Sequence, residues 1–440
     1  MLHEYGMRHG SVGQIAKTAV MWSLVFLIVV SQTCVTCRTL PLHSARGLGA
    51  SRKAEWIENA LIVLRSGKYP RLKIVSYWHE NWENKEGPSS LLRIDSSDDA
   101  LAAYREGIDD PVFTTTPVWK QTDSGHVLDV PPDGEIYLAA FPDFGDTEDN
   151  VTTAAMQEFE TLSGRPITYA YFSDNWRTNI SFPRDAVETI ASYGRVPFIR
   201  MMPRSVFWEE GPDPLYSLQA IIDGEYDTNL TRWAIDANNT GIPLIIEFGT
   251  EVNGEWFSWN GRWNGGGNTT EYGNPTYPDG PERFRDAYRH IVDLFRDLNV
   301  QNITWVFHVD DESLPEEDWN SMAMYYPGDE YVDWIGISVY GPLTWEDEWT
   351  PFETLMDIAY PALCNISSSK PLALLEFGAD ENGGLSNITT VESTTNTMPT
   401  TSTTVTAGVQ PSLGTRTALI VGSSLLATAV VVVVFARKRR

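Results

Sequence analysis

Residues 72–78 read LKIVSYW, a short run of β-branched and aromatic residues that is typical of a buried strand. Helical stretches flank this run at 52–65 and 97–107. Seven similar runs follow, with further helical stretches at 150–163, 184–192 and 281–298: the runs are 135–141, 167–172, 196–201, 243–248, 303–308, 334–340 and 371–377. Strands that alternate with helices indicate a parallel α/β sheet, and eight such strands predict a closed (β/α)8 TIM barrel. The alternative is an open doubly wound sheet, but the glycine-rich phosphate loop expected after its first strand is absent from the sequence.

The composition narrows the classes of partner. The chain has 440 residues and a formal net charge of -27. Such a charge repels nucleic-acid phosphates, so we expect no nucleic-acid partner. A negative charge of this size is compatible with a neutral polymer as the partner. It is also compatible with a protein at the cell surface and with a protein of a halophile. The three cysteines and seven histidines form neither a disulfide framework nor a zinc pattern, so we expect no metal and no cofactor.

The two ends of the chain predict attachment to a membrane. Residues 1–37 contain a short apolar run after basic residues, which indicates a signal peptide or a signal anchor. Residues 418–436 are apolar and close to the length that spans a bilayer, and the basic residues 437–440 that follow predict a cytoplasmic tail. Residues 386–417 are rich in Thr and Ser and predict a stalk.

The middle of the chain, residues 46–385, is therefore predicted to be an extracellular domain held at the cell membrane, and we expect it to be a monomer. N-x-[S/T] sequons fit an exported glycoprotein. They begin at Asn150, Asn179, Asn229, Asn238, Asn268, Asn302, Asn365 and Asn387.

Carboxylates at the ends of two predicted strands are the candidates for chemistry. Glu247 and Glu251 end the run PLIIEFGTE, and Glu376 ends PLALLE. In a barrel, side chains at the carboxyl ends of the strands line the active site. Two carboxylates that meet there could act as acid/base and nucleophile of a glycosidase. The alternative is that each caps a helix or pairs with an arginine. For Glu247, one layer deeper, we favour a buried carboxylate bonded by Arg200 or another basic residue of the barrel over a direct role in catalysis.

At these residues the chain resembles glycoside hydrolase family 26, best known for β-mannanases. The family's acid/base motif is similar to residues 250–260, TEVNGEWFSWN, and its nucleophile turn is similar to residues 376–378, EFG. The segments NITWVFHVDD and YYPGDEYVDWIGISVYG resemble those between the two motifs. The resemblance implies a retaining mechanism with Glu251 as acid/base and Glu376 as nucleophile.

The resemblance also implies contacts around the reacting groups. Tyr340 is expected to hydrogen-bond near the nucleophile, and Trp256 to stack on a sugar ring. Within the same motif, Asn253 and Trp259 are expected to contact substrate. Arg200 is expected either to hold carboxylates at the site or to cap the barrel rim.

The sequence departs from the family pattern in two respects. Thr250 stands where the family usually has a histidine, which bears on substrate preference. The family's eighth strand is missing after residue 378, and residues 72–78 resemble it instead, which predicts a circularly permuted barrel. The alternative is a remnant of a duplication that docks loosely. Permutation would bring Trp78 to the cleft as a second sugar platform, although a core tryptophan fits the same position.

We therefore expect a retaining endo-β-glycanase acting on a polysaccharide, with β-1,4-mannan as the first candidate. A β-glucanase or xylanase of the same fold is the nearest alternative. A non-catalytic carbohydrate-binding protein at the cell surface is the alternative from another class.

Overall fold

The computed structural model describes residues 51–84, 87–123, 125–207 and 211–384. The predicted signal segment, the stalk, the membrane helix and the basic tail all lie outside these residues. Within the described ranges, no helix combines the length and the apolar character needed to cross a bilayer.

Eight parallel strands form the core of the domain. Each is buried along nearly its whole length, as expected for barrel strands covered by helices on the outside. The strands are β1 Leu72–Trp78, β2 Ile136–Phe141, β3 Tyr169–Asn175, β4 Val196–Met202, β5 Leu244–Phe248, β6 Ile303–Asp310, β7 Trp334–Tyr340 and β8 Leu372–Gly378. All eight coincide with the predicted runs to within three residues at either end.

The sheet closes on itself through β1. This strand pairs in parallel with β8, where Tyr77 lies opposite Phe377, and also with β2, where Tyr77 lies opposite Ala140. The other strands follow one another around the ring in chain order. The prediction of a closed (β/α)8 barrel with residues 72–78 as its closing strand is therefore confirmed. The open sheet and the loosely docked remnant are both wrong, because β1 is paired on both edges.

The helices lie between the strands. They are α1 Arg52–Arg65, α2 Asp98–Ile108, α3 Thr153–Ser163, α4 Arg184–Ser192, α5 Leu218–Ile222, α6 Asp227–Thr240, α7 Asp279–Asp297 and α8 Phe352–Ile366. Helix α7 buries Phe284, Tyr288, Ile291 and Phe295, which recur at the helical spacing seen in the sequence. Side chains cap several helix starts; Ser51, for example, accepts a hydrogen bond of 3.1 Å from the amide of Ala54.

Short strands cover parts of the two ends of the barrel. At the amino end, a hairpin of Trp119–Gln121 and His126–Leu128 packs below β6, where the amide of Leu128 donates to Thr304 Oγ1 at 2.7 Å. At the carboxyl end, Asn81–Trp82 pairs with Ser90–Leu91 directly after β1. This second pair lies on the face where a barrel carries its active site.

Helix α1 is joined by polar contacts to the segment after β1 and to the loop after β8. Lys53 of α1 is fully buried and donates to the carbonyls of Leu91 and Arg93 at 2.7 and 2.6 Å. Arg52 donates to the carbonyl of Gly384. The first and last described parts of the domain therefore meet on the carboxyl-end face of the barrel.

One sequon is not available for glycosylation in the folded domain. Asn302 is only 2% exposed, and its amide donates to the carbonyls of Ala237 and Ile242. The other six sequon asparagines within the described residues are exposed or half-exposed.

Candidate active site

Two glutamates from opposite parts of the ring meet at the carboxyl end of the barrel. Glu251 lies in the turn after β5, and Glu376 lies near the end of β8. A carboxylate oxygen of one lies within 4.8 Å of a carboxylate oxygen of the other. Retaining glycosidases hold their two carboxyl groups about 5–5.5 Å apart, whereas inverting ones hold them about 6.5–9.5 Å apart. The spacing here fits the retaining arrangement.

Glu251 is held in an unusual backbone conformation. Its φ is +46°, a region that side-chain-bearing residues rarely adopt and that often marks functional turns. The indole nitrogen of Trp256 donates to Glu251 Oε2 at 2.8 Å. Gly254 is required for this contact, because a Cβ at that position would overlap the ring of Trp256.

Glu376 has stronger donors. The hydroxyl of Tyr340 donates to its Oε2 at 2.8 Å, and the guanidinium of Arg200 lies 3.3 Å from its Oε1. An arginine can only donate, so these two partners favour the ionised form of Glu376. Of the two expectations for Arg200, the structure shows the first: the side chain bonds carboxylates.

A buried layer lies beneath the two glutamates. Glu247 is fully buried and accepts from Tyr171 at 2.7 Å, with Arg200 Nε 3.4 Å away. Its remaining oxygen lies 2.8 Å from Nδ1 of His308. Glu247 is thus a bonded structural carboxylate, as the sequence indicates, but its main partner His308 was not among the predicted site residues.

The pKa values of Glu376 and Glu247 are shifted in opposite directions. Burial, opposed by Arg200 and aided by the charge of Glu251, raises the pKa of Glu376 to about 7. For Glu247, burial is outweighed by His308 and Arg200, and the pKa lies below its usual value. Two carboxyl groups as close as Glu251 and Glu376 do not both ionise freely, so the pair retains a proton into the neutral range.

Aromatic side chains lie on both sides of the glutamate pair. On the Glu251 side, a hollow is lined by Trp256, Phe257 and Phe207, all of them half-buried. On the Glu376 side, the half-buried ring of Trp82 lies 5.1 Å from that of Tyr340. Aromatic faces of this kind stack on sugar rings. Trp82 was not among the predicted residues, and only its closeness to Trp78 at the end of β1 could have indicated it.

Three predicted substrate-contacting residues lie behind the cleft surface. Trp78 is 1% exposed, with the ring of Phe141 stacked 4.2 Å from it and the guanidinium of Arg200 5.0 Å from its centre. Trp259 is also 1% exposed and stacks on Phe257.

Asn253 is fully buried, and its side chain donates to the carbonyls of Asp310 and Glu312. The burial of Trp78, Trp259 and Asn253 fits packing and loop-holding positions and does not support direct contact with sugar. For Trp78, the alternative of a core tryptophan fits better.

Glu251, Glu376 and His308 are close enough together to hold a metal ion. A ring nitrogen of His308 lies within 4.8 Å of oxygens of both glutamates. Both ring nitrogens already have protein partners, however: Nδ1 bonds Glu247, and Nε2 lies 2.9 Å from Ser338 Oγ. A metal ion would have to displace one of them. The donor set therefore fits a carboxylate pair better than a metal centre.

A closed barrel with a carboxylate pair of this spacing is the framework of a retaining glycosidase. The sequence model of glycosyl hydrolase family 26 matches residues 219–369, a range that includes Glu251 and ends before Glu376. The match confirms the resemblance of this chain to glycoside hydrolase family 26.

Two curated proteins that are similar to parts of this chain are named as glycan-degrading enzymes. Endoglucanase H of Acetivibrio thermocellus is 30% identical over 234 residues, which cover 52% of this chain and 23% of that protein. The β-1,3-xylanase TXYA of a Vibrio species is 25% identical over 126 residues, covering 28% and 23% of the two chains. The chain thus spans about a quarter of the length of these relatives.

Among solved structures, a Bacillus subtilis mannanase gives a TM-score of 0.36 at 16% identity, covering 53% of this chain and 77% of that one. The family 26 domain of a Prevotella bryantii endo-β-mannanase/endo-β-glucanase gives 0.37 at 16% identity, covering 52% and 73%.

Proposed function

We propose that the protein is a retaining endo-β-glycanase in which Glu251 is the acid/base and Glu376 is the nucleophile. The observation that carries the proposal is the spacing of these two side chains, within 4.8 Å at the carboxyl end of one barrel. That distance leaves room for one anomeric carbon between them but not for the additional water of an inverting enzyme.

In the first step, an oxygen of Glu376 attacks the anomeric carbon while the glycosidic C–O bond breaks. The proton of Glu251 passes to the departing sugar oxygen, so a glycosyl ester of Glu376 and a free chain end are formed. In the second step, Glu251, now ionised, removes a proton from water. The resulting hydroxide attacks the anomeric carbon and releases Glu376 as a carboxylate, which returns both groups to their starting state.

The hydrogen bonds around the pair support this division of roles. Glu376 accepts from Tyr340 and faces Arg200, so negative charge is stabilised on the nucleophile. Glu251 faces an indole N–H, which stabilises a carboxylate less than a guanidinium does. The proton retained by the pair therefore belongs on Glu251, where the first step uses it.

The aromatic rings support an endo mode of cleavage. Trp256 and Phe257 lie on the acid/base side, and Trp82 and Tyr340 lie on the nucleophile side. A polymer with sugars on both sides of the broken bond would use both sets of rings. A β-glucan is our first candidate substrate, with mannan and xylan next.

One observation favours glucan over the mannan expected from the family resemblance. The 30%-identical relative is named as an endoglucanase. Glucose and mannose differ in the direction of the 2-hydroxyl, which adjoins the reacting carbon, so both polymers belong in the test.

The test is to incubate the protein with a panel of soluble β-glucans, mannans and xylans and to follow products by proton NMR. We expect oligosaccharides that are formed first as the β-anomer, together with a rapid fall in viscosity. First-formed α-anomers would contradict the retaining mechanism. Binding to a glycan without cleavage would favour the non-catalytic alternative.

We also propose that the domain lies outside the cell and is tethered by residues 418–436. The exposure of six of the seven described sequon asparagines supports this placement. Treatment of intact producing cells with protease should release the domain, and protection of the domain would contradict the proposal.

A further inference from the structure

We propose that His308 is held as a doubly protonated imidazolium and acts as a positioning residue that balances charge beneath the two reacting glutamates. It contacts no part of the proposed reaction directly. Nothing in the sequence pattern singles it out, because it lies in the middle of the buried strand β6.

The geometry fixes the proton on one ring nitrogen. Nδ1 lies 2.8 Å from Glu247 Oε2 and 2.8 Å from Thr250 Oγ1. Glu247 already accepts from Tyr171 and faces Arg200, so it is an ionised acceptor that cannot itself donate. Nδ1 of His308 must therefore carry a hydrogen.

The other ring nitrogen decides the charge. Nε2 lies 2.9 Å from the hydroxyl of Ser338, which can either donate or accept. A neutral imidazole would accept from this hydroxyl, and an imidazolium would donate to it. The hydrogen bond alone permits both forms, so the surrounding charges must distinguish between them.

Those charges favour the imidazolium. The cluster holds three carboxylates, of which Glu376 and Glu247 are buried and Glu148 is 15% exposed. Two guanidinium groups face them, in contacts of 2.8 Å for Arg200–Glu148, 3.3 Å for Arg200–Glu376, 3.4 Å for Arg200–Glu247 and 3.8 Å for Arg204–Glu148. With a neutral His308 the cluster would carry one uncompensated negative charge away from water, which is costly. With an imidazolium, three anions and three cations balance.

The neighbouring Glu80 does not change this balance. Burial and the nearby Glu148 raise the pKa of Glu80 to about 9, so that group is uncharged at neutral pH. Facing His308 itself are Glu247 on β5, Glu251 after it, Glu376 on β8 and Tyr171 on β3. Burial opposes a charged His308, but the three carboxyl groups outweigh it and raise its pKa.

The balance also holds through the proposed reaction. Before the first step Glu376 is an anion and Glu251 is neutral. After it, Glu376 is an uncharged ester and Glu251 is an anion. The cluster together with Glu251 therefore carries no net charge in both states, provided that His308 keeps its second proton. Loss of that proton would raise the free energy of each state and would oppose ionisation of Glu376.

The direct test does not depend on the proposed activity. Histidine-selective nitrogen-15 labelling of the full chain, with the resonance assigned through contacts with Tyr171 and Ser338, reports both ring nitrogens. We expect both to carry hydrogen at about one pH unit above the ordinary histidine pKa of about 6.5. An Nε2 without hydrogen at that pH would overturn the proposal, even if the protein proved to be an active glycanase.

The functional test rests on the proposed function and uses His308→Gln, in which an amide can still donate to Glu247 but carries no charge. We expect the acidic limb of the kcat/KM profile to move upward by about one pH unit, because Glu376 loses a stabilising cation. The fall in kcat/KM relative to the parent should be about tenfold greater on the acidic side of the profile than at the pH optimum.

Thr250→Val is the matched control, since it removes a neighbour of Nδ1 without changing charge. We expect its acidic limb to stay where it is in the parent. A His308→Gln variant whose melting profile shows a folded protein, but whose activity falls equally at all pH values, would reduce His308 to a structural role and overturn the proposal.

Discussion

Replacing Glu251 and replacing Glu376 should affect activity differently. Glu376 is needed to form the glycosyl ester with every substrate, whereas Glu251 is needed only when the leaving group must receive a proton. Replacing Glu251 with Ala should lower activity on a polysaccharide by about 10²–10⁴-fold. It should spare ester formation from a dinitrophenyl glycoside, and added azide should yield a β-glycosyl azide. Glu376→Ala should lose both reactions.

Glu255→Gln is the matched control for these variants. It lies four residues after Glu251 and pairs with Arg262 on the surface of the same loop. We expect it to retain parental activity on both substrates. Equal losses in all three variants would indicate damage to the loop rather than loss of chemistry.

The pH dependence of inactivation should show which glutamate holds the shared proton. Burial raises the pKa of Glu376 above its usual value, so the nucleophile becomes ionised as the pH rises through the raised pKa. In the proposed starting state Glu251 is uncharged, so Glu251→Gln removes no charge and the midpoint of this rise should stay where it is in the parent. The measurement is the rate of inactivation by a 2-fluoro glycosyl fluoride against pH. A midpoint that moves to lower pH in the variant would mean that Glu251 is charged while Glu376 titrates, and would contradict the placement of the proton on Glu251.

At the scale of elements, the short strand Asn81–Trp82 should contribute to substrate binding. The ring of Trp82 lies beside Tyr340, whose hydroxyl binds the proposed nucleophile. Trp82→Ala should raise KM by about tenfold, with a smaller change in kcat, because a stacking contact contributes roughly 0.5–1.5 kcal/mol beyond its buried area.

The comparison for Trp82 is Trp119→Ala, in the hairpin at the opposite end of the barrel. That variant should keep the parental KM. A similar rise in KM for both variants would mean that Trp82 acts through stability and not through contact with sugar.

Lys53 should add a polar attachment to helix α1, whose apolar side chains are also buried. Its ammonium is buried and bonds two carbonyls and Ser96 Oγ, so Lys53→Ala leaves these acceptors without a donor. We expect the free energy of unfolding to fall by about 1–3 kcal/mol. Chemical denaturation measures it, with the exposed Lys120→Ala as a control that should change it by less than about 0.5 kcal/mol. A loss for Lys53 no larger than the control's would contradict this attachment.

The eight strands and their ring order were predictable because each strand is a short apolar run between polar segments. Helix α6 was missed because its sequence, DTNLTRWAIDANNT, is rich in residues of low helix propensity. Helix α8 contains Pro361 in its interior, which ordinarily argues against a helix. In both cases packing against the barrel overrides local preference.

The meeting of Glu251 and Glu376 was predicted from motifs, but their surroundings were not. His308 is a single polar residue within ITWVFHVD, a run that otherwise reads as core. The sequence also gives no information on which tryptophans show a face to solvent. Trp78 and Trp259 are covered because Phe141 and Phe257 stack on them, and those partners lie far along the chain or around a turn.

For the whole molecule, the closed ring predicts that the order of its segments can be changed. A chain that runs from residue 117 to 384 and then continues with 51–116 should fold into the same barrel, because Arg52 already contacts Gly384. Circular dichroism and a melting curve similar to the parent would bear this out. An unfolded or aggregated product, with the unpermuted parent folded under the same conditions, would contradict it.

The contact between Arg52 and Gly384 also bears on how large substrates reach the cleft. Both lie on the carboxyl-end face, so the polypeptide enters and leaves the domain at the rim of the catalytic opening and not on the opposite side. Whatever continues from residues 51 and 384 therefore begins beside the opening, where a long polymer would pass as it enters the cleft.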